Sequence, residues 1–198
     1  MYGQVVEWHI DGLMGGHSGM EINKERATAN KVMGRFIAYC MENTDFAIAS
    51  ANGGEKENAI AKQCDAVLVV PEENIAAFED AVSAFETILK KEHHFTDPDL
   101  HIYVEKKECG EYEALDKETA QNLMALLIHL SNGVQKRIPE FPDSVQTSLN
   151  MGTLEQTEDE ISMTFSVRSS VTSEKEWMMS QMEHLAKVFG GYCRISGV

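Results

Sequence analysis

Apolar and polar positions change period several times along the chain, and each change marks an element. "QVVEWHI" (Gln4 to Ile10) is rich in β-formers and predicts a strand. From about Gly19 to Glu42 the apolar positions Ile22, Ala29, Met33, Phe36, Ile37 and Cys40 recur at helical spacing, which predicts one helix. "DFAIASA" (Asp45 to Ala51) reads as a strand and "GGEKEN" as a turn; "DAVLVVP" (Asp65 to Pro71) is a second strand, closed by its proline. "NIAAFEDAVSAFETILKKEHH" then carries Ile75, Phe78, Val82, Phe85 and Leu89 on one stripe, an amphipathic helix. "DLHIYVEKKE" alternates as a strand does. The order β-α-β-β-α-β is the split βαβ, or ferredoxin-like, arrangement, over about residues 1–110.

Residues 111–198 partly repeat it. Asp116 to Asn132 predicts a helix with Leu123, Leu126, Leu127 and Leu130 inward, and "GVQKRIPEFPD" a loop marked by two prolines. "VQTSLNMGTLE" and "EISMTFSVRSS" predict a hairpin turning near "EQTED"; a helix from "SEKEW" to "VFGG" follows, and "YCRIS" is expected to form a last strand. The order and spacing around "LNMGTLEQ" echo those around "ANGGEKEN", which suggests duplication. The expected fold is α+β: two related ferredoxin-like units, antiparallel sheet with helices packed on one face. With no low-complexity linker between them, the units are expected to pack as one body.

Composition narrows the function classes. The 198 residues carry a formal charge of -15, with 43% hydrophobic and 25% charged residues. This is the balance of a globular domain, and it argues against nucleic acid and anionic membranes, which bind basic surfaces. No apolar run approaches the ~18 residues of a membrane span, and the N-terminus lacks a signal-peptide layout. Cys40, Cys64, Cys109 and Cys193 are widely spaced and form no C-x-x-C pair. They read as free thiols, and a cytoplasmic protein is expected.

The candidate chemistry centres on "GLMGGHSGMEI", Gly12 to Ile22. Neither G-x-G-x-x-G nor G-x-x-x-x-G-K-[ST] is matched, so a phosphate loop is disfavoured. His9 and Asp11 in "WHID" spell H-x-D and share a strand face, but a metal site needs three or four converging ligands and none is paired with them by spacing. Ser18-Gly19-Met20-Glu21 fits the capping box S-x-x-E, with Ser18 as N-cap. His17 precedes the cap, where an apolar staple residue is usual. Flanking glycines leave room for a ligand, and a neutral imidazole there could donate a hydrogen bond to a developing oxyanion. On the residues alone, that reading and a plain surface turn both stand.

A longer comparison bears on the choice. "DGLMGGHSGMEINKERATANKVMGRF", with its core GL-x-GGHSG-x-x-I, resembles the lid domain of the aminoacyl-histidine dipeptidases, within the zinc aminoacylase/carboxypeptidase superfamily. "GGEKENAIAKQCDAVLVV" resembles that superfamily's GG-x-x-x-NAIP turn, with Ala61 replacing the proline, and "TSLNMG…FSVRSS" is similar to the dipeptidases' TSLN-x-G…RSS segment. The resemblance implies a parent enzyme with two zinc ions in a separate catalytic domain, none of them bound by this chain. It implies that the lid closes over that site for hydrolysis of Xaa-His dipeptides. His17 would donate to the transition-state oxygen, Asn58 would contact the substrate and Arg168 would grip its carboxylate. The implied partners are a dipeptide, the parent catalytic domain and a second subunit. The chain ends at "RISGV", about where such a lid re-enters its catalytic domain, so it is expected to be inactive alone. The alternative is a stand-alone ferredoxin-like module that binds a small ligand or pairs subunits.

Overall fold

The computed structural model describes residues 1–197. Strands β1 (Tyr2–Asp11), β3 (Ala47–Gly53), β5 (Cys64–Val70) and β6 (His101–Glu111) come from the first half, with helices α1 (Ala29–Met41) and α2 (Ile75–Glu92) between them. They lie in the order β6-β1-β5-β3, every neighbour antiparallel. The second half adds α3 (Lys117–His129), β7 (Gly133–Ile138), β8 (Phe141–Gln156), β9 (Ile161–Ser169) and α4 (Thr172–Val188). Both halves share one antiparallel sheet, because Gly53 at the end of β3 pairs with Leu154 of β8. A short second sheet joins β2 (Gly16–His17) to β4 (Ala59–Ile60). The molecule is α+β, a large antiparallel sheet with four helices packed against it.

Alternation on β1 sends Val6, Trp8 and Ile10 inward and leaves Glu7, His9 and Asp11 on the other face. Trp8 stacks on Phe36 of α1 at 4.6 Å between ring centroids, and Phe85 of α2 meets Phe36 edge-on at 5.6 Å. One continuous core runs from these aromatics to Leu123 and Leu127 of α3 and to Met151 and Leu154 of β8.

Four sequence expectations change. The helix expected over Gly19–Glu42 is a turn, a 3-10 turn at Ile22–Lys24, an extended link, and then α1. Glu25 takes the left-handed conformation (φ 52°), and the buried Asp97 carboxylate takes the Ala27 N–H at 2.8 Å, so a tertiary hydrogen bond replaces a helical one. Ser18 is not the N-cap: its hydroxyl is buried with no partner. The Glu21 carboxylate reaches back instead to the His17 N–H at 3.0 Å, one residue earlier than the capping box requires. The two-proline "loop" is β7 running into β8, and "YCRIS" forms no strand.

Candidate functional site

The glycine–histidine loop is held by partners that reach it from three parts of the chain. Asp97 accepts Met14 N–H at 3.0 Å, and Arg26 donates to Gly15 O at 2.5 Å. Gly16 and His17 pair with Ile60 and Ala59, and Ser18 N–H donates to Asn58 O at 2.9 Å. His17 and Asn58 are thereby brought to one exposed cleft of about 520 Å³, which Lys56 and Lys62 also line.

The Asn58 turn is fastened from beneath. Asn150 of β8, 1% exposed, donates from Nδ2 to Glu57 O at 3.0 Å and to Ala59 O at 2.9 Å. Ser166 of β9 adds a bond from Oγ to Glu57 O at 2.9 Å. With Ser18 N–H on Asn58 O, the three successive carbonyls of residues 57–59 are all satisfied, while the Asn58 side chain stays exposed. Close contact is allowed by glycine: a Cβ on Gly152 would fall 2.5 Å from Glu57 Cα.

Arg168 arrives on β9, opposite Ser148 of β8. It is exposed and has no ion-pair partner among the described residues. Its guanidinium passes over Gly19: a Cβ built on Gly19 would stand 3.1 Å from Arg168 Cζ and 3.1 Å from His17 Cε1. The end of β9 is tied down by Ser169 Oγ, 2.9 Å from Thr147 Oγ1, which also donates to Glu174 Oε2 at 2.5 Å. Lys136, Thr147 and Gln146 together hold the Glu174 carboxyl down at about 2. The Glu21 carboxyl beneath His17 is likewise lowered to about 2, by Lys24 first and then by the His17 N–H.

His17, Asn58 and Arg168 therefore stand together, and the fold gathers an imidazole, an amide and an unpaired guanidinium on one surface. That set suits an anionic or carbonyl-bearing ligand. The sequence reading missed Asn150, Ser166, Gly19 and Asp97. Asn150 lay within the quoted "TSLN" stretch, but nothing local showed that its amide points at a turn 93 residues away. Asp97 in "TDPDL" carried no signal.

His9 does not join Asp11. Its Nδ1 is 2.6 Å from Asp65 Oδ1, and its ring stacks on Tyr103 at 4.8 Å. Glu7, His9 and Glu105 bring three ligand atoms within 4.8 Å of one another. Lys107 Nζ already meets both carboxylates, however, at 3.0 and 2.9 Å, so an ammonium occupies the place a cation would take and the cluster does not fit a metal centre.

Residues 9–97 match the family described as the peptidase dimerisation domain, a span that includes His17 and Asn58. The chain is 29% identical over 188 residues to the cytosol non-specific dipeptidase of Escherichia coli (strain K12), covering 95% of this chain and 39% of that one. It superposes on the crystal structure of aminoacylhistidine dipeptidase from Vibrio alginolyticus with a TM-score of 0.94 and 26% identity, covering 99% of this chain and 40% of the other. The chain thus spans about two fifths of the length of each relative. No helix among the described residues is long and apolar enough to cross a membrane. Residues 9–97 are therefore similar to the peptidase dimerisation domain, and nearly the whole chain is similar to the matching part of these two dipeptidases.

Proposed function

We propose that this chain is the lid of a zinc-dependent aminoacyl-histidine dipeptidase of the cytoplasm. It closes over a two-metal site held by a catalytic domain elsewhere in the parent protein, and it associates with a second subunit. The observation that carries this reading is the convergence of His17, Asn58 and Arg168, drawn from three separate stretches of sequence, on one exposed surface. The zinc ions would be held by the catalytic domain and would supply Lewis-acid chemistry and an activated water. This chain's residues bind and orient. The Arg168 fork takes the free carboxylate of an Xaa-His dipeptide, the Asn58 amide hydrogen-bonds the peptide, and His17 donates to the oxygen that gains charge. With none of the reacting centre among them, these groups are inactive alone.

In the full-length parent enzyme, His17→Ala is expected to lower kcat by roughly 10²–10³-fold, the scale for loss of one oxyanion donor, with KM little changed. An unchanged kcat removes His17 from the chemistry. Arg168→Ala is expected chiefly to raise KM for free dipeptides. Equal effects on dipeptides with blocked C-termini would exclude carboxylate gripping. Turnover of dipeptide by this chain with zinc alone would overturn the lid reading.

A further inference from the structure

His17 has four polar atoms, and three are engaged inside its own turn. Its N–H donates to Glu21 Oε2 at 3.0 Å, and its carbonyl oxygen accepts the N–H groups of Met20 and Glu21 at 3.1 and 2.9 Å. Its Nδ1 meets the Gly19 N–H at 3.1 Å. A backbone N–H can only donate, so Nδ1 must accept and carries no proton. In the neutral ring the single proton then sits on Nε2, which has no protein partner among the described residues.

We propose that Gly19 is a positioning residue that locks His17 in the Nε2–H tautomer, so that the ring turns a hydrogen-bond donor toward the cleft. The inference rests on the reading of His17 as an oxyanion donor and says why it donates rather than acts as a base. A neutral ring acting as base at Nε2 would need its proton on Nδ1, where two N–H groups would face each other. Gly19 serves a second purpose through what it lacks. A side chain there would enter the 3.1 Å gaps to both the imidazole and the guanidinium. One residue thus fixes the tautomer and seats the cation beside the neutral donor.

The tautomer can be read without reference to activity. In the ¹⁵N-histidine-labelled chain, two-bond proton–nitrogen correlations distinguish a bare from a protonated ring nitrogen, and His17→Gln assigns the signal. His17 is expected with Nδ1 bare and Nε2 protonated. In Gly19→Ala it is expected to move toward the tautomer mixture of the exposed His129 and His184. Protonated Nδ1 in the wild type, or His17 signals unmoved by Gly19→Ala, overturns the proposal. In the full-length enzyme, Gly19→Ala is expected to lower kcat about tenfold, less than the roughly 10²–10³-fold of losing the donor outright, at nearly constant KM. If the tautomer shifts as expected while His17→Ala leaves kcat intact, the positioning role stands and the oxyanion role falls. The two readings therefore fail separately.

Discussion

Replacing Asn150 with alanine would remove both N–H groups that hold the carbonyls of Glu57 and Ala59. Glu57 O would keep its bond from Ser166 Oγ while Ala59 O would lose its bond from Asn150, and a partly buried group stripped of its partner costs about 1–3 kcal/mol. A drop of that size in the free energy of unfolding is expected, measured by urea titration. In the parent enzyme the same change is expected to weaken dipeptide binding, because Asn58 is held only through its backbone while its side chain is free. Asn150→Asp is a sharper test, since a carboxylate puts acceptors against acceptors and should cost more than alanine. At this scale the sequence offered candidates, His17 from its glycine turn and Asn58 and Arg168 through the family resemblance, and all three are exposed. It did not reveal what holds them. Display positions sit in short local patterns, whereas their supports are hydrogen bonds between residues about a hundred positions apart.

Elements with strong periodicity kept the bounds their patterns implied. The stripe of Phe78, Val82, Phe85 and Leu89 became α2, and the Asp116 cap began α3 by accepting the Thr119 N–H at 3.0 Å. Where the local pattern was overruled, a tertiary partner did it, as Asp97 did at Ala27. Lys31 shows the same logic at a helix end. Its ammonium donates to Leu127 O, to Ile128 O at 3.0 Å and to Leu130 O at 2.6 Å, capping the C-terminus of α3 from α1. Burial pushes this group from 10.5 down to about 8. Between those values the unfolded chain binds the proton more tightly than the folded one, so the Lys31 contribution to stability rises with pH across that window. The difference in unfolding free energy between wild type and Lys31→Met is therefore expected to shift in favour of wild type from pH 8 to 10.5. Glu174 has the same sign in a lower pH window. Held at about 2 by Lys136, Thr147 and Gln146, it stabilises fully above its ordinary 4.5, and that contribution is lost as pH falls through about 2. Glu174→Gln is expected to destabilise at pH 6 and to matter least near pH 2, read as the difference in melting temperature.

Across the whole molecule, order is not evenly shared. Helix α1 buries eight of its thirteen residues, including Met33, Phe36 and Ile37, whereas α4 buries Met178 alone and leaves Trp177 62% exposed. Amide hydrogen exchange is accordingly expected to be much faster in α4 than in α1, since local opening there exposes little apolar surface. Phe36→Ala, at the aromatic centre, is expected to cost about 3–5 kcal/mol. The split βαβ half was readable because its strands and helices alternate in strict period. The second half was read less well because β8 takes β9 on one flank and both β7 and β3 on the other, a junction that no local pattern records. That junction also orders events in time. The bond from Ser166 to Glu57 closes a loop of 109 residues, and such long-range contacts form late because chain entropy must be overcome before they are rewarded. A nascent chain would possess its aromatic core before Arg168 comes beside His17. Ligand binding at this surface would then report not merely a folded first half but a finished molecule.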